Sequence, residues 1–272
     1  MEEAYITIDR SGETVDTSAV TKDNISSYFP AKIQLIAFCY NNIELLEGFF
    51  ESLTKQTLSR FDICIVDLGS TDGSYELIED WMPRPGIVSR QMQKKGVSPF
   101  AAYNEATLIN LSKNSDGWIC PVNVGDRFSP GALKTYLGYT DTFPNTDVFY
   151  GNFKIVNDKE YKNIVGLQDW PEYSRAALIE ENFCGCSPLI KGSSIVELGG
   201  FDVNMGYVAD HDLYTRMAEE DKIFHRVEEV IGKHYEEDEE SYDEGRKTIT
   251  ELFKKQTEDL RELKRAPDYN ES

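Results

Sequence analysis

The sequence predicts an α/β protein built on a mostly parallel sheet flanked by helices. Two patterns carry that reading. Short apolar runs of strand length alternate with segments whose apolar residues recur at helical spacing, as βαβ units require. The apolar runs end in polar loops of turn formers. A third observation bounds the answer: 272 residues with 40% hydrophobic and 12% aromatic side chains are too rich in core formers for a disordered chain.

The elements follow in order. Residues 1–30 are polar and weakly patterned, and are expected to form an N-terminal arm. Lys32 to Tyr40 reads as a buried strand, after which Asn41-Asn42 can cap a helix with apolar positions Leu45, Leu46, Phe49, Phe50 and Leu53. Phe61 to Val66 is a second strand, followed by a turn-rich loop and a helix from Ser74 to Trp81. A third strand is expected over Ile87 to Met92, then a helix through Leu111, then a fourth strand from Gly117 to Val122. The second half is less regular. Val148–Gly151 and Phe153–Val156 read as short strands of a hairpin or mixed edge, with a long loop through Trp170. Helices are expected around Tyr173 to Glu181, at Ile195 to Leu198 and over Ala209 to Ala218, and Val227 to Ile231 is strand-like. Five consecutive acids, Glu236 to Glu240, precede a helix marked by Ile249, Leu252, Phe253, Leu260 and Leu263. The resulting organisation is an arm (1–30), an α/β domain (31–235) and an acidic hinge with a C-terminal helix (236–272).

Charge narrows the function. With 28 Lys+Arg against 48 Asp+Glu, the net charge of −20 repels phosphate backbones, so a nucleic-acid groove or a polybasic membrane anchor is not expected. The acids could still gather a divalent cation locally. No apolar run reaches the ~18 residues needed to span a bilayer, and Met1-Glu2-Glu3-Ala4 is a poor start for a signal peptide. Peripheral membrane contact stays open, and a cytoplasmic location is expected. Of the five cysteines, Cys39, Cys64 and Cys120 lie in strand-like runs, where a thiol behaves as a small hydrophobe. Cys184-Gly-Cys186 could suggest a metal or redox pair, but no second Cys/His pair stands at finger spacing, and reduced structural thiols are expected throughout.

The sharpest motif is Asp67-Leu-Gly-Ser-Thr-Asp-Gly-Ser74, between a hydrophobic strand and a helix. In parallel sheets ligands bind beyond the carboxyl ends of strands, small residues let backbone approach a ligand, and an Asp there can accept hydrogen bonds from a base or ribose. It is no phosphate-cradling P-loop, since it is acidic and lacks Gly-Lys-Ser/Thr. Read from these residues alone, an ordinary turn capped by Asp72 or Ser70 remains equally open.

Taken together, Ile36 to Asn41, the helix end Ser52-Leu-Thr-Lys-Gln-Thr57, Phe61 to Asp67 and Gly69 to Ser74 resemble the start of the family 2 glycosyltransferases, which have the GT-A fold with its Rossmann-like sheet. The likeness continues through Gly96 to Asn104, Pro121-Val-Asn-Val-Gly-Asp126 to Leu133, Gly199-Gly-Phe-Asp202 and Ala209-Asp-His-Asp to Arg216, over roughly residues 32–235. The resemblance implies an inverting, metal-dependent transferase of the hexosyltransferase type. It would move a sugar from a nucleotide-diphosphate donor, a UDP-sugar in the first instance, to a hydroxyl of a glycan, lipid-linked or protein acceptor. By position it assigns Tyr40 to stacking on the base, and Asn41, Asp67, Gly69, Ser70, Asn104 and Asn123 to donor binding. Asn123-Val-Gly-Asp126 stands in the place of the Asp-x-Asp motif, leaving Asp126 to ligate Mn²⁺ or Mg²⁺ with His234 as a further ligand. Asp210 is the implied general base.

The sequence departs from the family pattern at Leu68, Asn123/Gly125, Tyr103 and Ala209, where acids or an Arg are usual; Lys94 or Lys95 could replace the missing cation. These departures motivate a second reading, a catalytically degenerate relative that binds nucleotide sugar or a partner. A third, a sugar-phosphate nucleotidyltransferase, wants a basic Gly-rich first loop, which Tyr40-Asn41-Asn42 is not.

Overall fold

The computed structural model describes residues 32–58, 61–81, 88–111 and 116–236, together with two short strands, β1 (Thr7–Ile8) and β2 (Thr14–Val15). The chain divides into two compact units, Met1–Pro30 and Ala31–Ser272. In the first, β1 and β2 pair antiparallel. The expected acidic hinge beyond Glu236 and the C-terminal helix lie outside the described residues.

The larger unit begins with β3 (Ile33–Cys39), α1 (Ile43–Thr54), β4 (Asp62–Asp67), α2 (Ser74–Trp81), β5 (Val88–Gln93), α3 (Pro99–Leu111) and β6 (Trp118–Asn123). The order β5-β4-β3-β6 is parallel throughout, because each strand returns through a crossover helix. β3 is buried on both faces, which is why it reads as an unbroken apolar run rather than an alternating one. Ile33, Leu35, Ala37 and Cys39 join the core that holds Leu46, Phe49 and Phe50 of α1, whereas Ile36 faces the core holding Ala102 and Ala106 of α3.

Next come β7 (Asp126–Phe128), α4 (Ala132–Thr142), β8 (Val148–Val156), β9 (Ile164–Gln168), α5 (Arg175–Glu180), β10 (Leu189–Lys191) and α6 (Gly192–Glu197). A 3₁₀ segment (Val203–Val208), α7 (Ala209–Glu219) and β11 (Phe224–Tyr235) complete the described chain. The sheet continues β6-β10-β8-β11-β7, with β9 on β8. Here the pairing is mixed: β10 is antiparallel to β6 and β8, and β11 is parallel to β8 and antiparallel to β7.

The structure corrects the second-half reading in three places. The two expected short strands are one nine-residue strand, β8, paired by β9, β10 and β11 inside the sheet rather than at an edge. The expected long loop through Trp170 contains β9. The strand-like Val227 to Ile231 is the middle of a twelve-residue strand. Each was hidden because half-exposed or two-side-buried strands in a mixed sheet break the simple alternation that marks a strand in sequence.

A fourth correction concerns the start of α1. Asn42 occupies the cap position but makes no side-chain cap bond; its Oδ1 turns back to the Tyr40 N–H at 3.2 Å. The Ile43 N–H donates instead to Asp72 Oδ2 at 3.1 Å, so the cap comes from the next loop.

Candidate functional site

The ends of β3 and β4 form one hydrogen-bonded unit. Asp67 is 1% exposed, and its Oδ1 accepts from the backbone N–H groups of Gly69 and Ser70 at 3.0 and 3.1 Å. Ser70 Oγ accepts the Asn41 N–H at 2.9 Å, and Asn41 Oδ1 accepts the Thr71 N–H at 2.9 Å. Asn41 adopts φ 52°, a left-handed conformation that Asn tolerates better than most residues. Tyr40 projects from this unit and is 57% exposed. Asp72 is partly buried, which raises its pKa, but hydrogen bonds from Ser74 and the backbone of Ile43 hold it below the ordinary carboxylate value. The Lys95 side chain lies against Gly69, and Lys94 is paired with Glu105 at 2.8 Å.

The Asn123–Asp126 turn is held from both sides. Asn123 Oδ1 accepts the Gly125 N–H at 2.8 Å, and Arg127 donates to the carbonyls of Val124 and, in α1, Leu45 at 3.0 and 2.7 Å. That guanidinium lies 4.1 Å from the centre of the Tyr161 ring, whose hydroxyl donates to Gly125 O at 2.6 Å. These contacts aim Asp126, fully buried, at the end of β11. There Asp126 Oδ1 meets His234 Nδ1 at 2.7 Å, while the opposite ring nitrogen meets Glu236 Oε2 at 3.0 Å. Burial opposes a charge on His234, but Cys186, Asp126 and Glu236 outweigh it and hold its pKa well above the ordinary imidazole value.

By position the family resemblance puts Gly185, Cys186 and Trp170 near the acceptor, but the contact of this segment with Asp126 was not expected from the sequence. The Ser187 hydroxyl donates to Asp126 Oδ2 at 2.7 Å, and the Cys186 thiol lies beside His234 and donates to Gln168 Oε1 at 3.6 Å. The Cys184-Gly-Cys186 pair is split. Cys184 joins the core around Tyr150 and Leu178, while Cys186 turns toward Asp126. Gly185 makes the split possible: its φ is +62°, and a Cβ there would sit 2.3 Å from Trp170 Nε1. Asp126 Oδ, Cys186 Sγ and His234 N offer ligand atoms within 4.8 Å of one another, a donor set that fits a divalent cation.

Asp210 stands in the first turn of α7. Asn182 Nδ2 donates to its Oδ2 at 3.0 Å, and the His211 N–H donates to its Oδ1 at 2.8 Å. Burial raises the Asp210 pKa, and those two donors only partly offset it. Asp210 and Asn182 line a cleft of roughly 360 Å³ together with Asn123, Asp126, Cys186 and His234. Trp170, Phe201 and Tyr214 supply apolar lining to the same cleft.

The structure therefore gathers Asn123, Asp126, His234 and Asp210 around one cleft, and Tyr40, Asn41, Asp67, Gly69 and Ser70 in the loop pair at the neighbouring strand ends. Asn104 is engaged elsewhere. Its amide donates to Phe201 O and accepts the Phe201 N–H, both at 2.8 Å, tying α3 to the Gly199–Phe201 loop. Tyr103 is a core aromatic, 6% exposed and packed edge-on against Phe38. Among the described residues, no helix is long and apolar enough to cross a membrane.

A parallel sheet with its polar loops at the carboxyl ends, extended by a mixed half that brings carboxylates to the same edge, is the architecture of a GT-A protein. Solved structures share it: S. aureus TarS 1-349 in complex with UDP gives a TM-score of 0.61 at 17% identity, covering 82% of this chain and 64% of that one. The mannosyltransferase PcManGT from Pyrobaculum calidifontis, in complex with GDP-Man and Mn²⁺, gives 0.56 at 15% identity, covering 77% and 58%. The model of the glycosyl transferase family 2 matches residues 35–191, and the chain belongs to that family. Chondroitin synthase of Escherichia coli is 24% identical over 203 residues, 73% of this chain and 28% of that protein. An uncharacterized glycosyltransferase of Haemophilus influenzae is 24% identical over 193 residues, 69% of this chain and 62% of that protein. The chain thus spans less than two thirds of the length of either relative.

Proposed function

We propose that this chain is an inverting glycosyltransferase that moves a sugar from a nucleotide-diphosphate donor, a UDP-sugar in the first instance, to a hydroxyl of a glycan, lipid-linked or protein acceptor. The observation that carries the reading is the shared cleft: Asp210, a half-buried carboxylate with a raised pKa, lines the same space as Asp126 and Asn123. UDP and UDP-GlcNAc bound to TarS structures of the same fold favour uridine as the base.

In this reading Tyr40 stacks on the base, Asn41, Asp67, Gly69 and Ser70 shape the loop that receives the nucleoside, and Asn123 faces the donor from the cleft. Asp67 acts by holding the backbone N–H groups of Gly69 and Ser70 in place. Asn104 supports the site through the Phe201 loop rather than by reaching the donor. Asp126 and His234 would hold a divalent cation, Mn²⁺ or Mg²⁺ by the expectation from sequence. When bound, the cation offsets charge on the departing diphosphate.

Asp210 takes the proton from the acceptor hydroxyl as that oxygen bonds to the anomeric carbon. The bond from that carbon to the diphosphate oxygen breaks, and the electron pair leaves with the nucleoside diphosphate. A single base acting in one direct displacement inverts the anomeric centre. A raised pKa suits Asp210 to the task, since a more basic carboxylate takes the proton more readily. Asn182 and the His211 N–H keep its oxygens oriented. The aromatic lining from Trp170, Phe201 and Tyr214 suits an acceptor that presents a sugar face.

A second reading, a catalytically degenerate binding relative, draws on Ala209 and Tyr103, both buried where the family pattern has polar groups. Calorimetric binding of UDP, GDP, CDP and dTDP with and without Mn²⁺, followed by release of nucleoside diphosphate in the presence of acceptor, separates the two. Metal-assisted binding with turnover that Asp210→Asn abolishes supports the transferase. Tight binding without turnover on any acceptor supports the binding relative. No binding of any nucleotide overturns the transferase and leaves a relative of the same fold that binds a partner.

A further inference from the structure

We propose that Cys186 is a third protein ligand of the metal site, so that Asp126, Cys186 and His234 form an oxygen–sulfur–nitrogen site suited to a borderline-soft divalent ion of the zinc class rather than to Mg²⁺. The proposal rests on the reading of Asp126 and His234 as a cation site and deepens it. The Asp-x-Asp pattern does not point to a thiol here, and the sequence raises Cys184-Gly-Cys186 as a metal or redox pair only to place both among structural cysteines.

Four observations carry it. The three ligand atoms lie within 4.8 Å of one another, and a tetrahedral ion with ordinary zinc bond lengths holds its donors about 3.5 Å apart, so side-chain adjustments of about 1 Å complete the set. The oxygen of Asp126 turned away from the cluster is occupied, since Oδ2 accepts the Ser187 hydroxyl at 2.7 Å and Oδ1 is the one that faces His234. The far ring nitrogen of His234 is likewise engaged by the Glu236 carboxylate at 3.0 Å, leaving Nδ1 toward Asp126. A carboxylate behind a histidine is the arrangement that orients imidazoles at metal centres and makes them stronger donors. Finally, all three residues line the cleft, so a position on the ion facing the cleft is left for a donor oxygen.

The backbone that presents the thiol is costly to form, which an incidental packing cysteine would not require. Gly185 at φ +62° and Ser187 at φ 51° flank Cys186 with two left-handed residues. Ser187 is not a glycine, and the conformation persists because its carbonyl accepts from Tyr136 at 2.9 Å and from the Cys120 thiol at 3.3 Å while its hydroxyl holds Asp126. The chain is bent so that residues 186 and 187 both address Asp126. When an ion binds, it replaces the thiol proton, which goes to solvent. A thiolate among the donors favours zinc-class ions, whereas Mg²⁺ takes oxygen ligands and gives up its water reluctantly.

Cobalt titration of the metal-free full-length protein tests this without relying on activity. Co²⁺ at the site is expected to show the near-ultraviolet sulfur-to-cobalt charge-transfer band, to saturate at one equivalent and to be displaced by stoichiometric Zn²⁺. Cys186→Ser is expected to abolish the band, Cys184→Ser to keep it, and circular dichroism to report both as folded. Because most nitrogen and oxygen sites also bind Zn²⁺ more tightly than Mn²⁺, the affinity ratio alone decides nothing. The change in that ratio does: Cys186→Ser should weaken Zn²⁺ by more than the roughly 10–100-fold cost of losing a supporting partner behind a ligand, and Mn²⁺ far less. Bound cobalt without the band, a band that survives Cys186→Ser, or an unchanged Zn²⁺/Mn²⁺ ratio overturns the assignment. If Cys186→Ser does not fold, the wild-type band and its loss on selective alkylation of Cys186 decide the matter in the same way. Failure here is distinguishable from failure of the transferase reading. Nucleotide turnover without the band leaves the enzyme and removes the thiol, whereas the band without any nucleotide binding leaves the thiol site and removes the enzyme.

Discussion

Ser187 and Asp126, 61 residues apart, are joined by a 2.7 Å hydrogen bond inside the core, and the serine that makes it sits at φ 51°. The hydroxyl partners a carboxylate that solvent does not reach. Backbone strain and side-chain hydrogen bond are thus coupled at one residue, and two substitutions separate them. Ser187→Ala keeps the strain and removes the bond, and is expected to cost about 1–3 kcal/mol, the range for depriving a buried polar group of its partner. Ser187→Gly removes both and should be less destabilising than Ala by roughly 1 kcal/mol, since glycine adopts φ > 0 freely. Urea unfolding of the two variants checks the order; Gly worse than Ala would show that the conformation is not strained.

Asp210→Asn is expected to lower turnover about 10²–10⁴-fold while leaving nucleotide binding intact, as removal of a general base does. Single-turnover kinetics alongside calorimetry reads both quantities. A loss of binding equal to the loss of rate would assign Asp210 to the donor rather than to the acceptor proton.

The pH dependence follows from the same carboxylate. Burial raises its pKa above the ordinary 3.8, and the base works only when ionised, so the acidic limb of the rate profile should lie above that value. Asn182→Ala removes a donor that favours the ionised form and should shift the limb to higher pH, with kcat at the plateau changed less than at the limb. For stability the sign is opposite. A raised folded pKa contributes stability below the unfolded value, and that contribution is lost as pH rises through the folded one. Asp210→Asn should therefore gain stability relative to wild type on going from acid to neutral pH, measured by denaturant midpoints.

Gly185→Ala places a Cβ within 2.3 Å of the Trp170 indole at a left-handed φ, so both packing and backbone oppose it. The expected loss is about 2 kcal/mol or more. Differential scanning calorimetry measures it, and Trp170 fluorescence should report the displaced ring.

The start of α1 is capped from another loop, so Asp72→Ala should cost about 0.5–2 kcal/mol and Asn42→Ala less, although Asn42 occupies the cap position. Equal effects in urea unfolding would return the cap to Asn42.

The first half of the fold was legible because most of its elements satisfy their own pattern. β3 and β4 are buried on both faces and read as continuous apolar runs, and Ser74–Trp81 is the helix that its spacing predicts. The mixed half was harder. β10 has only three residues and owes its existence to β6 and β8 on either side of it, and β9 is too exposed to show a buried face. Strands of this kind are made by their neighbours and leave little local signal.

By itself the sequence determined the order of the strands and helices around Tyr40, Asp67 and Asn123, and the motifs that mark the family, because these depend on periodicity and turn chemistry within a few residues. The family resemblance already paired His234 with Asp126; only the tertiary structure decided how the two meet and what else stands around them. Ser187 arrives from 61 residues away and His234 from 108, and Cys186 comes with Ser187 on a strained turn. Such meetings are set by the register of β11 on β7 and by the left-handed backbone at Gly185 and Ser187. A contact between residues so far apart costs chain entropy that many other contacts must offset, so it is a property of the whole packed sheet and leaves no trace in any short stretch of sequence.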